Sequence, residues 1–161
     1  MKAIAALLAF LFCVRPAAAV EYASFTPLIE AVQNKNVSPY AIEAMILDGA
    51  RVNERDNEGR TVLMLAAKYH PDPLVHYLLI QGGADINART PDTGKTALFF
   101  AVQFNPNPDE VVPALLNYGA DQHIEDVFGC KAYHYAEKNR NFKSPSVLWL
   151  FADHAEDDWD E

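Results

Sequence analysis

The side chains able to do chemistry in this chain are five histidines, a single cysteine past the leading apolar stretch, and 22 carboxylates. A metal site needs ligands at fixed short spacings, such as two histidines one helical turn apart or a pair of cysteines separated by two residues. His70, His76, His123, His134 and His154 are dispersed, with no pair at i and i+4. No serine elbow, zinc-protease helix, phosphate-cradling loop or C-x-x-C occurs. Most carboxylates fall in turns and at the C-terminus, where solvation is the default. These observations predict neither a catalytic site nor a cofactor or metal. A small hydrolase is the weakest alternative, because it would need a perturbed carboxylate or histidine cluster in an enclosed pocket.

The remaining capacity is for binding. Half of the 161 residues are apolar, enough for one packed domain. The formal net charge is -9, and losing Lys2 and Arg15 with a leader would lower it to -11. Such a balance disfavours nucleic acid and anionic membrane surfaces and modestly favours basic partner surfaces.

The first 19 residues read as a signal peptide. Lys2 gives the positive start, residues 4–14 the apolar run, and Ala17-Ala18-Ala19 the small-residue cleavage site. The run is too short to span a bilayer, which takes about 20 residues. Cleavage after Ala19 and export are expected, with no membrane attachment afterwards. Cys13 leaves with the leader, so Cys130 has no intramolecular partner. It is expected to be a thiol packed in a helical core.

From residue 21 onward, the elements that would position a binding site repeat. Thr26, Thr61, Thr96 and Lys131 are each 35 residues apart, and Leu28, Leu63, Leu98 and Tyr133 keep step. So do Ala31, Ala66, Ala101 and Ala136. Three columns over four copies imply stacked helix pairs. In the first three copies a threonine is expected to cap an inner helix, and alanines in all four permit close approach. A proline-bearing turn then starts an outer helix with an apolar stripe, and Gly49, Gly82-Gly83 or Gly119 ends it. Asn57-Glu58-Gly59, Asp92-Thr93-Gly94 and Phe128-Gly129 supply turn chemistry at the loop tips.

Thr26-Pro27-Leu28, Gly59-x-Thr61, Gly83-Ala84-Asp85-Ile86-Asn87 and Gly119-Ala120-Asp121 resemble the ankyrin repeat. The resemblance implies an all-α repeat fold, a solenoid of antiparallel helix pairs joined by β-hairpin-like loops. The expected organisation is a signal peptide over 1–19, a repeat domain over 20–153 and an acidic tail over 154–161. Repeats fall at about 22–54, 56–88, 91–124 and 126–153. The tail is expected to be a solubilising end, although Trp159 among carboxylates leaves a docking motif open. The histidine usual in the family after the opening leucine is Ile29, Met64 and Phe99 here, and returns only as His134. The first three hairpins are therefore expected to be held by apolar packing. The fourth copy lacks the opening Thr and closing Gly-Ala, as befits a terminal repeat.

The resemblance implies contact through the hairpin tips and the exposed ends of the inner helices. Carried over position by position, the candidate partner-binding residues are Asp56, Asn57, Glu58 and Arg60 in the first hairpin, and Arg89, Asp92 and Lys95 in the second. Phe128 stands at the third tip, and Lys68, Tyr69, Gln103, Phe104 and Lys138 at helix ends. Asn139 falls on the same face. Tyr69 and Phe104 are 35 residues apart and should stack side by side, either as interface anchors or as satellite core under the proline turns.

These readings point to a non-enzymatic protein-binding module, expected to be monomeric and exported to the periplasm. The resemblance implies an immunity role or support of a stress enzyme. A secreted effector that binds a host protein is the alternative.

Overall fold

A computed structural model describes residues 27–154. The leader, Thr26, the lead-in at 21–25 and the tail at 155–161 lie outside them. Six α-helices are followed by two 3-10 helices: α1 Pro27–Gln33, α2 Pro39–Leu47, α3 Val62–Tyr69, α4 Pro73–Gln81, α5 Ala97–Phe104 and α6 Pro108–Asn117, then Ala132–Lys138 and Pro145–His154. The inner helices α1, α3, α5 and Ala132–Lys138 pack in sequence, each against the next. The outer helices α2, α4, α6 and Pro145–His154 form the second row in the same order. This is an all-α repeat solenoid.

The inner row explains itself through burial. Val62 to Ala67 in α3 and Ala97 to Val102 in α5 are buried without interruption. A helix apolar all round must have neighbours all round, and each of these has one on either side plus its outer helix behind. Ala66 and Ala101 let the backbones close up, and larger side chains such as Leu63, Leu98 and Phe99 fill the remaining space, each contributing about 2 kcal/mol. Only the last turn of α3 and of α5 reaches solvent, at Lys68-Tyr69 and Gln103-Phe104.

Caps follow the expected chemistry in most copies. Ser38 accepts from Ala41 N at 3.3 Å, Thr61 from Met64 N at 3.3 Å and Asp72 from Leu74 N at 2.9 Å, and prolines open α2, α4 and α6. Thr96 differs, since its hydroxyl makes no cap bond. The outer helices end alike. Gly49, Gly83 and Gly119 have φ of 92°, 92° and 96°, which a side chain rarely adopts. The next residue donates back to the last turn in each case: Ala50 N to Met45 O, Ala84 N to Leu79 O and Ala120 N to Leu115 O, all 3.0 Å.

Three expectations need correction. The hairpins are not held by apolar packing, because a tight exposed turn has backbone N–H groups that only an acceptor can satisfy. Asp56 Oδ1 takes Glu58 N and Arg60 N at 2.9 Å each, Thr90 Oγ1 takes Lys95 N at 3.1 Å, and Asp126 Oδ1 takes Phe128 N and Cys130 N at 2.9 and 3.0 Å. The thioether of Met64 accepts from Thr61 N at 3.3 Å, as His134 Nδ1 accepts from Lys131 N at 3.0 Å. Secondly, Cys130 is a half-buried hairpin residue ahead of the last inner helix, not part of a helical core. Thirdly, Asn139 is buried, for a reason given below.

Two sets of side chains fasten each copy to the next. On the hairpin side, Asn53 Nδ2 donates to Gly83 O at 2.8 Å and its Oδ1 accepts from Asp85 N at 2.8 Å. Asn87 repeats this with Gly119 O and Asp121 N at 3.3 and 2.9 Å. Arg55 Nη1 reaches Arg89 O at 3.1 Å, and Arg89 Nη2 reaches Glu125 O at 2.7 Å. On the proline-turn side, His70 Nε2 lies 3.1 Å from Val37 O, and Asn105 Nδ2 donates to Ala67 O and His70 O at 2.7 and 3.0 Å. Asn139 Nδ2 donates to Val102 O and Asn105 O at 3.0 and 3.3 Å. His70, Asn105 and Asn139 are all buried, so this is a satisfied polar ladder inside the stack.

Candidate protein-binding groove

The first two hairpins and the ends of α3 and α5 enclose an open groove of about 270 Å3. Its floor is Phe100 and Phe104, and its walls are Glu58, Arg60 and Lys68 on one side and Thr90, Asp92, Thr93, Lys95 and Gln103 on the other. The fold makes this concavity because the hairpins project beyond the inner helices while α3 and α5 expose only their last turns. The second hairpin is fixed from both sides. Gly59 of the first comes so close to Pro91 that a Cβ there would lie 2.6 Å from the proline ring. Val127 N of the third donates to Thr93 O at 3.0 Å.

Seven of the predicted residues meet in this groove: Glu58, Arg60, Lys68, Asp92, Lys95, Gln103 and Phe104. Lys68 Nζ stands over two rings at once, 4.8 Å from the centroid of Tyr69 and 5.3 Å from that of Phe104. An ammonium thus links the two aromatic residues predicted to stack on each other. Phe104 is 45% exposed, whereas Tyr69 is half-buried against the core. Lys95 Nζ lies 4.0 Å from the centroid of Tyr135 and hydrogen-bonds Gln103 Oε1 at 3.3 Å. Lys138 Nζ approaches the same ring at 5.6 Å.

The other predicted residues divide by what already holds them. Asp56 is nearly closed off, accepting the hairpin N–H groups and pairing with Arg60 Nη2 at 2.7 Å. Arg60 also reaches Glu58 at 2.8 Å. Arg89 is exposed, but its guanidinium is engaged in joining hairpins through Gly94 O and Glu125 O. Asn57 is exposed beside the groove, and Phe128, 74% exposed, stands on the third hairpin away from it.

Sequence reasoning missed Tyr135, which carries two of the lysines. Its hydroxyl donates to Asp126 Oδ2, and that bond raises the phenol to about 12. Burial opposes ionisation of Asp126, but donors from Tyr135, Cys130 and Phe128 outweigh it and hold the carboxyl below its usual value. Asp92, fully exposed, is lowered chiefly by the Thr93 N–H, with which it bonds at 2.7 Å. Tyr135 is legible in retrospect, since Leu65, Phe100 and Tyr135 form a column of period 35 that grows aromatic toward the C-terminus.

Among the described residues, no group of three or more His, Cys, Asp or Glu side chains could hold a metal ion. No helix there is long and apolar enough to cross a membrane. The arrangement is an open, shallow, mixed-charge groove with an aromatic floor, suited to holding a surface or a segment of another chain.

Stacked helix pairs, glycine-capped outer helices and projecting hairpins define a helical-repeat binding scaffold. The family described as ankyrin repeats (3 copies) matches residues 4–90, more than half of the chain, and the chain belongs to that family. The match begins inside the stretch expected to be a leader. The chain is also similar to Zygote-specific protein 3 of Chlamydomonas reinhardtii, with 34% identity over 127 residues. That region is 79% of this chain and 32% of the relative, so the chain spans about a third of the relative's length. Ankyrin repeats are in general protein–protein interaction modules.

Proposed function

We propose that this protein is a non-enzymatic binding module that docks one specific partner protein in the groove between its first two hairpins. The observation that carries the proposal is Phe104, an exposed ring lining the groove, with the Lys68 ammonium over both it and the half-buried ring of Tyr69. Large aromatic groups at the centre of a patch are the usual anchors of an interface, and the rigid seams on either side hold them in place before binding. The basic, apolar and small-residue pattern of residues 1–19 supports export to the periplasm. There a monomeric module would protect or support its partner, as an immunity protein or the companion of a stress enzyme does.

The test is capture from periplasmic extract followed by measured affinity for the protein recovered. Tyr69→Ala with Phe104→Ala should weaken binding by about 2 kcal/mol or more with little change in thermal stability. Unchanged affinity together with a large loss of stability would make the rings core and not anchors. N-terminal sequencing of the mature protein should begin at Val20, and a start at Met1 or Lys2 would remove the export reading.

A further inference from the structure

The protein is acidic, yet its concave face is not. Lys68, Lys95 and Lys138 all lie over aromatic rings there, and none has a carboxylate within ion-pair distance among the described residues. In a chain with 22 carboxylates and 13 cations, unpaired lysines would be expected to find acidic neighbours easily. The carboxylates near the groove are otherwise occupied. Asp126 is tied to Tyr135 and the third hairpin, Asp56 and Glu58 are paired with Arg60, and Asp92 turns back on Thr93.

We propose that the groove binds a carboxylate-rich peptide segment of the partner protein, which rests on the reading of the groove as the docking site. Asp or Glu side chains of the segment meet Lys68 and Lys95, with Lys138 extending the positive track into the last copy. An apolar side chain of the segment covers Phe104. The amide N–H groups of Gln103, whose oxygen accepts from Lys95 Nζ, are placed to bond its backbone. The lysines are held over rings by cation–π attraction, which leaves their charge without a carboxylate partner among the described residues. Net charge does not prevent this. Beyond about 8 Å the remaining acidic surface is screened at physiological ionic strength, so contact is decided by the charges lining the groove. Phosphate backbones are the poorer fit, because Glu58 and Asp92 interrupt the track and the protein as a whole repels a long polyanion.

The probe is a short dye-labelled peptide of Asp and Glu residues around one Trp, titrated by fluorescence anisotropy against the full chain. A Lys-rich peptide of the same length and a single-stranded oligonucleotide serve as comparisons. The acidic peptide should bind best, and raising the salt should weaken it. Lys68→Glu with Lys95→Glu should cost about tenfold or more, and Lys68→Gln with Lys95→Gln a smaller part of that. Lys35→Glu with Lys143→Glu, two exposed lysines outside the groove, should change binding less than about twofold. Stronger binding of the Lys-rich peptide or of the oligonucleotide would overturn the proposal, as would equal sensitivity to both pairs of reversals. Binding that appears only after residues 155–161 are deleted would assign the groove to the chain's own acidic end and remove the external segment. If the acidic peptide fails while the captured partner still depends on Phe104, the groove reading stands and only the acidic chemistry falls.

Discussion

Two columns of side chains run across the stack one or two residues apart, and they have opposite fates. Lys68, Gln103 and Lys138 sit at the solvent edge of the inner helices. His70, Asn105 and Asn139 sit just beyond, buried under the proline turns. Both are polar and both follow the repeat. The buried column reaches the neighbouring copy with its N–H groups and braces its own turn with its acceptors, whereas the first offers cations to the groove. A repeat therefore separates stability from recognition by position along a single helix end. Polarity by itself does not say which role a residue has.

The largest effect should come from the buried column. Asn105→Ala removes donors to Ala67 O and His70 O, leaves those carbonyls unsatisfied and opens space beneath the turn. It should cost about 4 kcal/mol in urea unfolding, while the fraction still folded binds the partner normally. A loss of affinity with stability intact would erase the distinction between the columns.

Acid should act on the outer row. His76 is completely buried, with its Nδ1 3.0 Å from Asp72 O, and burial lowers it from 6.5 to about 4. An unfolded chain takes up this proton near pH 6.5 and the folded one only near 4. Stability is therefore full above about 6.5, falls by about 3 kcal/mol as pH drops toward 4, and levels off below. Unfolding midpoints measured between pH 7 and 4 should show the slope, and His76→Leu should flatten it. An unchanged slope would place the acid sensitivity elsewhere.

The solvent-edge column should respond the other way. Phe104→Ala alone should cost about 2 kcal/mol of partner affinity and less than about 1 kcal/mol of stability, given its 45% exposure. The hairpin seam is intermediate and exposed. Arg89→Ala, which removes donors to Gly94 O and Glu125 O, should lower stability by about 1 kcal/mol and weaken binding indirectly by loosening the groove wall. Calorimetry of both variants against the partner separates the two effects.

The sequence made the fold legible because its periodic features are the ones that decide backbone path. Gly49, Gly83 and Gly119 stop helices where they must, and Ala66 and Ala101 mark the tight contacts between them. The groove was half legible. The period placed Lys68 with Gln103, and Thr61 with Thr96, but it could not tell that the hairpin carboxylates Asp56 and Asp92 bond their own turns. Asn139 was misplaced for a geometric reason. A 3-10 helix rises about 2.0 Å per residue against 1.5 Å for an α-helix, so Ala132–Lys138 reaches the buried turn one residue sooner than α3 and α5 do. The ladder accordingly steps 35 residues from His70 to Asn105 and 34 from Asn105 to Asn139. Tyr135 escaped notice because its partners, Lys95 and Asp126, belong to the hairpins and not to its own helix.

The central claim is that the partner sits in the concave groove and not on the outer row. A photo-crosslinking side chain placed at position 104 can be compared directly with one at Tyr40, which is 76% exposed on an outer helix. Illumination in periplasmic extract should join position 104 to one protein, with the product lost on adding Lys68→Glu with Lys95→Glu. The Tyr40 position should give no discrete product. The same discrete product from Tyr40, with none from position 104, would contradict the account.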